Sequence, residues 1–210
     1  MAVGDTSVSI VNKALNHLGA EGITSFSDGT AAAAACSSIY PEVKASTLAM
    51  YRWSFTKYRV QLVKDSATPN NEWTNQFVLP SDMLTFVPSS VMVSSQPGAG
   101  LFKQYEIGRA ANGSAVLLTD AAEIHIEYQQ NVTEAQMPSY FVQLLSYQLA
   151  WHLAEIITDQ TGKMQIWRAE ALGTPSEGGR GGYFRQAVNI DSAGQPPQVI
   201  ADYLLTDVRG

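Results

Sequence analysis

Two residues of the chain, His152 and Glu155, have the spacing of a metal-binding pair. They lie three positions apart in a predicted helix, so both side chains can point to the same side of it. The pair alone lacks the third protein ligand that a zinc site needs. We therefore interpret His152 as a histidine at the edge of the core with a polar neighbour.

A second candidate for chemistry is His125, which stands between Glu123 and Glu127 on a predicted strand. Alternate residues of a strand face the same side, so the imidazole and the two carboxylates could share acid–base work. Neither a nucleophile nor a cofactor-binding motif accompanies them in the sequence. A solvated strand face explains the same pattern equally well.

The remaining features with chemical potential are a cysteine and a glycine-rich run. Cys36, the only cysteine, lies among small residues of a predicted helix, where nothing nearby in sequence would lower the pKa of its thiol. We expect it to pack rather than react. The run Gly-Gly-Arg-Gly-Gly at 178–182 could bind an anion through its backbone amides. It lacks the preceding strand and the following Lys and Thr of a P-loop, so we interpret it as a flexible connector.

Aromatic and basic residues are interleaved between positions 52 and 59, as in surfaces that bind single-stranded nucleic acid. In an extended segment, however, Trp53 and Phe55 point to one side and Arg52 points to the other. This arrangement places an aromatic anchor in the core and leaves the charges in water. We prefer the core role, in which replacing Trp53 by Ala reduces solubility or assembly before any DNA affinity.

Composition limits the class of protein. The chain has 210 residues, 45% of them hydrophobic, which suits one large domain or two small ones. A net charge of −6 and an isoelectric point near 5.0 argue against an electrostatic grip on nucleic acid, although a local basic patch is compatible with them. A single cysteine excludes an internal disulfide and fits assembly in the cytosol. From the residue patterns we expect neither a signal peptide nor a membrane span.

Two helices are predicted before residue 63. The first is capped by Asp5 or Thr6 and ends at Gly19. The second begins at about residue 30, and its helical pattern extends to Leu62. Its pattern is interrupted by Pro41, so we expect a bend there, or else two shorter helices.

The following sequence consists of short runs of β-forming residues separated by turns, which predicts a small antiparallel β unit. The clearest strand is 124–128, where apolar residues alternate with Glu and His to give one dry face and one wet face. The other predicted strands and extended segments are 76–79, 84–93, 102–107 and 115–118.

Helical periodicity then resumes. Residues 140–159 are apolar over most of the helix circumference, which is typical of a helix buried centrally or lying between subunits. A short amphipathic helix follows at 163–172. The sequence beyond it is rich in Gly and lacks strong periodicity, so we predict an extended tail that docks on a neighbouring molecule.

Together these elements predict an α+β protein, an antiparallel helical bundle with an inserted small antiparallel β domain and an extended C-terminal tail. The predicted boundaries are 1–62 for the first part of the bundle, 63–136 for the β domain, 137–173 for the second part of the bundle and 174–210 for the tail.

Short motifs follow one another in a fixed order over residues 5–172. They are Ile10-Val11-Asn12-Lys13-Ala14-Leu15-Asn16-His17-Leu18-Gly19, an alanine-rich helix up to Tyr40-Pro41, Trp53-Ser54-Phe55 with Arg59, Leu79-Pro80-Ser81-Asp82-Met83-Leu84, Tyr105-Glu106-Ile107-Gly108-Arg109 and the helix from Phe141 to Asp159. In this order they resemble the tail tubular protein A family, the head-to-tail adaptors of short-tailed bacteriophages. Ser54 and Thr56 stand where that family would have Asn and Ala beside Trp53. The helical pattern also breaks after Leu172, where members of the family tend to extend a helix.

The resemblance implies a structural protein of the virion neck or tail, assembled in the host cytoplasm and without enzymatic activity. Copies would form a homo-oligomeric ring, commonly twelve-fold, between the portal protein and the distal tail tube or nozzle protein. Genomic DNA would pass through the ring without specific binding. We expect no cofactor, and we expect an acidic lumen that lets DNA slide.

Under this interpretation the important residues form two groups. The predicted structural anchors are Trp53, Phe55, Pro80 and Asp82. The predicted contacts with another subunit or with the portal are Tyr147, Trp151, Trp167, Tyr183, Phe184, Tyr203 and Leu204. Two other classes stay open: a DNA-end-binding head-completion protein, and a small tail-associated cell-wall hydrolase that uses Glu123 and Glu127.

Overall fold

A computed structural model describes residues 5–69, 71–96, 100–110 and 112–194. The helices in this part of the chain are α1 Ser7–Leu18, α2 Ala31–Ala49, α3 Ser139–Thr158, α4 Thr161–Leu172 and α5 Gly182–Ala193. The strands are β1 Lys57–Gln61, β2 Asn75–Val78, β3 Ser90–Met92, β4 Glu106–Arg109, β5 Ala115–Thr119 and β6 His125–Gln129. Helix and sheet are both present, so the predicted α+β class is confirmed.

Helix α1 has the ends that its sequence predicts. The Thr6 side chain accepts a hydrogen bond from the backbone N–H of Ser9 at 3.1 Å, and the Ser9 hydroxyl accepts one from the Thr6 N–H at 2.9 Å. These reciprocal bonds satisfy two amides that the helix cannot pair internally. Gly19 closes the helix in the left-handed conformation, with φ 72°.

Helix α2 begins where predicted and ends earlier than predicted. Thr30 caps its start by accepting from the Ala33 N–H at 3.1 Å, and the helix continues through Pro41 as one element. It ends at Ala49, so the prediction that the helical pattern extends to residue 62 is wrong. The chain leaves the helix because Trp53 turns into the core and the following residues form strand β1, which pairs with β6.

The strands form two antiparallel sheets of three strands each, in the orders β1-β6-β3 and β2-β5-β4. In the first sheet Tyr58 is opposite Tyr128, and in the second Phe77 is opposite Leu117. A shared apolar cluster covers both sheets and includes Phe77, Leu117 and Ile126. The sheet region therefore has a hydrophobic core of its own.

The wet face predicted for β6 is wrong at His125, which is only 7% exposed. Strand β6 lies between β1 and β3, and the residues opposite His125 on these strands are Gln61 and Met92, of which Met92 is buried. The imidazole is held by a carboxylate, with Nε2 2.7 Å from Oε1 of Glu123. The predicted dry face is observed, since Ile124, Ile126 and Tyr128 are all buried.

Helix α3 is the centre of the helical core. It packs against α1, α2, α4 and α5. Contacts in so many directions explain why α3 is apolar over most of its circumference, because neighbours within the same chain cover several of its sides. Phe141, Leu145 and Leu149 are among its fully buried side chains.

The extended tail predicted after residue 173 is wrong for residues 182–193, which form α5. The helix is stabilised by one face, on which Phe184, Ala187 and Asp191 are buried at positions i, i+3 and i+7. The Gly-rich sequence before this helix made its short helical periodicity difficult to recognise. The rest of the predicted tail, residues 195–210 with Tyr203 and Leu204, lies outside the described residues.

The glycine-rich run is a compact turn between α4 and α5 rather than a flexible connector. The Gly181 N–H donates to the Leu172 carbonyl at 2.9 Å. At Gly182, φ is 54°, and an added Cβ would lie 2.6 Å from the carbonyl oxygen of Glu170. Only glycine fits such a close approach of two backbones in this conformation.

Candidate functional site

His152 and Glu155, the pair with metal-binding spacing, both lie on α3. His152 is half-buried and stacks on Trp151 with ring centroids 3.5 Å apart, while Glu155 is exposed. Burial lowers the pKa of His152, although the charge of Glu42 acts in the opposite direction. Over the ranges that the structure describes, no three His, Cys, Asp or Glu side chains are close enough to share a metal ion.

The two carboxylates next to His125 are both engaged. Glu123 contacts His125 at 2.7 Å, and Glu127 accepts a 3.2 Å hydrogen bond from Arg59 on β1. Glu127 therefore forms a cross-strand ion pair within the sheet. The geometry matches structural pairing better than the two-carboxylate arrangement of a glycosidase, in which one group must be free to attack or to activate water.

Cys36 is fully buried on α2. Burial raises the pKa of its thiol to about 11, because the charged thiolate is disfavoured away from water. The side chain thus packs as a small apolar group.

Trp53 is the centre of an aromatic core where the helical part meets the sheets. It is fully buried, and its indole N–H donates to the Thr47 carbonyl at 3.3 Å. The rings packed around it belong to Tyr51, Phe55, Tyr140, Phe141 and Phe184. A side chain enclosed in this way has no free face on which a nucleic acid base could stack.

Asp191 is the residue that sequence reasoning missed. Its carboxylate is buried on α5 and accepts hydrogen bonds from the Ser54 N–H at 2.9 Å, the Ser54 hydroxyl at 2.7 Å and the Tyr140 hydroxyl at 2.6 Å. Burial and the neighbouring carboxylate raise the pKa of Tyr140. The sequence did contain one indication of this role. Asp191 lies on the same helical face as Phe184 and Ala187, and a carboxylate on a buried face is tolerated only when it is hydrogen-bonded.

Asp82 holds the loop after β2 against the end of β6. Its Oδ1 accepts from the Tyr128 hydroxyl at 3.0 Å, its Oδ2 accepts from Gln130 Nε2 at 2.7 Å, and its backbone carbonyl accepts from the Asn131 N–H at 2.9 Å. Burial and this carboxylate raise the pKa of Tyr128. Pro80 is half-buried in the same loop and accepts from the Met83 N–H at 3.4 Å.

Three of the predicted contact residues meet in one half-buried aromatic cluster. Tyr147 lies 5.4 Å from Trp167 and 5.4 Å from Tyr183 between ring centroids, and His17 lies 4.6 Å from Trp167. Burial lowers the pKa of His17, and burial together with Tyr147 raises the pKa of Tyr183. These contacts are within one chain and join α1, α3, α4 and α5.

The other two predicted contact residues that the structure describes lie elsewhere. Trp151 is half-buried and donates its indole N–H to Oε1 of Gln148 at 2.7 Å. Phe184 is only 7% exposed and packs against Trp53. Helix α5 folds back on the helical core, so this ring is covered by its own chain.

An open groove lies where the end of α2 meets the first sheet, and we name it the junction groove. It has a volume of about 870 Å³. Its walls are formed by Ala49, Met50, Tyr51, Arg52, Lys57, Thr85, Val87, Pro88, Ser89, Ser90, Leu101, Glu127 and Gln129. The groove combines exposed apolar side chains with exposed basic ones, which suits recognition of another macromolecule more than a small-molecule reaction.

The chain matches no model of a known protein family and no curated protein. In the part of the chain covered by the structure, no helix has both the length and the apolar content needed to cross a membrane.

Proposed function

We propose that this protein is a structural virion component, a head-to-tail adaptor whose copies form a ring between the portal protein and the distal tail tube or nozzle. The order of the sequence motifs and the surface of the folded chain both support this role. Such an adaptor acts by binding other molecules, and DNA passes through the ring without specific binding.

One observation carries the proposal: large apolar side chains are exposed on both parts of the molecule. On the helical part they are Ile156, Ile166 and Ile190, and in the sheet region they include Val63, Phe86, Val87 and Leu101. Several of them are more than half exposed, with Ile166 at 60% and Val63 at 76%. A protein that joins two different partners and its own copies needs exposed apolar side chains on several parts of its surface. An isolated monomer gains no stability from exposing them.

A ring requires contacts between two different surfaces of each copy, because a contact between identical surfaces closes after two copies. The helical part and the sheet region provide chemically distinct surfaces on one chain. We propose that the helical part faces the portal and that the sheet region faces the distal tail. An overall charge of −6 per copy would then give an acidic conduit that repels DNA and lets it slide.

The test is the mass of the purified protein alone and after mixing with the portal protein encoded by the same genome. We expect the mixture to give one particle that contains a ring of copies on the portal, visible by electron microscopy and by light scattering. A protein that stays monomeric in the presence of portal would contradict the proposal. Turnover of cell-wall polymer, or a salt-dependent affinity for DNA ends, would favour the alternative classes instead.

A further inference from the structure

We propose that the junction groove of one copy binds the C-terminal end of α3 of a second copy. We name this end the α3 tip and define it by Glu155, Ile156 and Asp159. The inference deepens the proposed ring and rests on it, since it assigns the two surfaces that join neighbouring copies.

The apolar part of the groove favours a protein occupant. Val87 and Leu101 line it with 56% and 67% of their surface exposed, and Met50 is 38% exposed beside them. Covering such side chains stabilises a complex by about 25 cal/mol for each Å² of apolar surface removed from water. Ile156, at 58% exposure, is a side chain of matching character on the α3 tip.

Charge selects which protein surface fits. Arg52 and Lys57 line the groove with exposed side chains, and within the described ranges neither forms an ion pair. The carboxylate in the groove, Glu127, is already paired with Arg59. The groove therefore presents positive charge on a chain whose net charge is −6, so copies that repel each other overall attract at this point.

The α3 tip carries the complementary charge in an unusual place. Glu155 and Asp159 are exposed on the last turn and the cap of α3, and no basic residue lies in that turn. The C-terminal end of a helix has a partial negative charge, so two carboxylates there destabilise an isolated helix. A cationic surface on another molecule offsets this local cost, and Arg52 and Lys57 provide one.

The pairing of groove and tip joins two different surfaces of the same chain. Such a contact is heterologous and repeats from copy to copy, so it can close into a ring. A tip-to-tip contact would instead bring four carboxylates together. The charge pattern thus favours directional assembly over a symmetric dimer.

Cysteine crosslinking distinguishes these arrangements. The native Cys36 is fully buried, so Val87→Cys in the groove and Ile156→Cys on the tip can be labelled in the wild-type background. Each single variant, and a mixture of the two, is treated with a short bismaleimide, both alone at high concentration and after mixing with portal. We expect crosslinked dimers only in the mixture of Val87→Cys and Ile156→Cys chains, and a ladder of higher species when both substitutions are on one chain.

Three outcomes would overturn the inference, and two of them are crosslinks. One is a homodimer from either single variant, which indicates a symmetric contact. The other is a crosslink from Val87→Cys to the portal protein in place of a second copy, which assigns the groove to that partner. The absence of any crosslink in assembled particles also rejects the pairing.

Charge exchange gives an independent measurement. The double variants R52E/K57E and E155K/D159K should each raise the concentration at which rings form by at least about tenfold, since two ion pairs become repulsive. Combining all four substitutions on one chain should restore assembly. The matched controls Lys64→Glu and Glu72→Lys change exposed charges next to strand β2 of the second sheet, outside both surfaces, and should leave assembly unchanged.

These results separate the two proposals. If the wild-type chain forms rings on the portal but the charge variants assemble normally, the assignment of surfaces is wrong and the adaptor function stands. If the wild-type chain forms no assembly with or without portal, the proposed function itself fails. Assembly lost in the double variants and regained in the fourfold variant supports both.

Discussion

The hydroxyl of Tyr140 donates a 2.6 Å hydrogen bond to Oδ1 of Asp191, a residue 51 positions further along the chain. The same carboxylate accepts two hydrogen bonds from Ser54, so α5, the start of α3 and the turn after Trp53 meet at one buried charge. Such a charge is stable away from water only because donors surround it. Helix α5 is thereby part of the core of the helical region.

Replacing Asp191 by Ala should lower the free energy of unfolding by about 3 kcal/mol, since it leaves two hydroxyls and an amide without their acceptor. Asp191→Asn keeps one acceptor oxygen and should cost roughly half as much. Urea titration followed by tryptophan fluorescence measures both. Glu72→Gln, at an exposed carboxylate outside the helices, is the control and should change stability little; an equally small effect of Asp191→Ala would show that the network is not stabilising.

Trp53→Ala should destabilise the protein by about 4 kcal/mol, because it empties the centre of an aromatic core. The expected phenotype is loss of soluble protein and of assembly. The half-buried Trp73, whose indole N–H donates to Glu106 at 3.1 Å, provides the matched control. Trp73→Ala should cost only about 1 kcal/mol. Normal folding and ring formation by Trp53→Ala would contradict the anchor role.

The ion pair between Lys44 and Glu134 should make stability depend on pH in the acid range. Burial would raise the pKa of Glu134, but hydrogen bonds from Lys44 at 3.0 Å and from Tyr40 at 2.9 Å hold it below its ordinary value of 4.5. A depressed carboxyl pKa stabilises the folded state above the unfolded pKa, and this contribution is lost as the pH falls below it.

Glu134→Gln tests this contribution directly. It should reduce the free energy of unfolding by about 1 kcal/mol at pH 7, and the difference from the wild type should shrink as the pH is lowered through 4.5 towards 3. Urea unfolding at several pH values provides the measurement, with the exposed Glu21→Gln as control. A difference that is the same at pH 7 and pH 3 would show that ionisation of Glu134 is not involved.

Cys36 should be unreactive in the folded protein. With its pKa raised from 9.0 to about 11, the thiolate population near pH 8 is roughly 100-fold smaller than in the unfolded chain. A chromogenic disulfide reagent should therefore label the thiol rapidly in urea and very slowly in buffer. The Val87→Cys variant supplies an exposed thiol that should react at once in buffer. Fast labelling of the native thiol would mean that α2 opens readily.

The elements that the sequence predicted best are those with local determinants. Thr6, Gly19 and Thr30 act on the backbone within four residues, so their caps could be located without any knowledge of the fold. The alternation of apolar and polar residues in β6 likewise predicted which face of the strand is buried. Burial of His125 was not predictable in this way, since it depends on strands that pair from both sides.

The features that the sequence did not predict are set by distant partners. Strand β1 alternates polar and apolar residues but is mostly exposed, and it forms because Lys57–Gln61 pairs with β6 some seventy residues later. Helix α5 is short and begins in glycine, and its stability comes from burying Phe184 and from the bonds of Asp191. Three of the seven predicted contact residues, Tyr147, Trp167 and Tyr183, form one cluster because α5 brings Tyr183 beside Tyr147.

Strand β1 carries the chain out of the helical region and β6 carries it back, and the two are hydrogen-bonded neighbours with Lys57 opposite Gln129. The two ends of the stretch between these strands are thus one strand spacing apart, about 5 Å. A short hairpin turn could replace the whole stretch without moving the helices. Evolution or protein design can therefore replace this stretch by another sequence. Such a replacement changes what the sheet region recognises and keeps the aromatic core around Trp53.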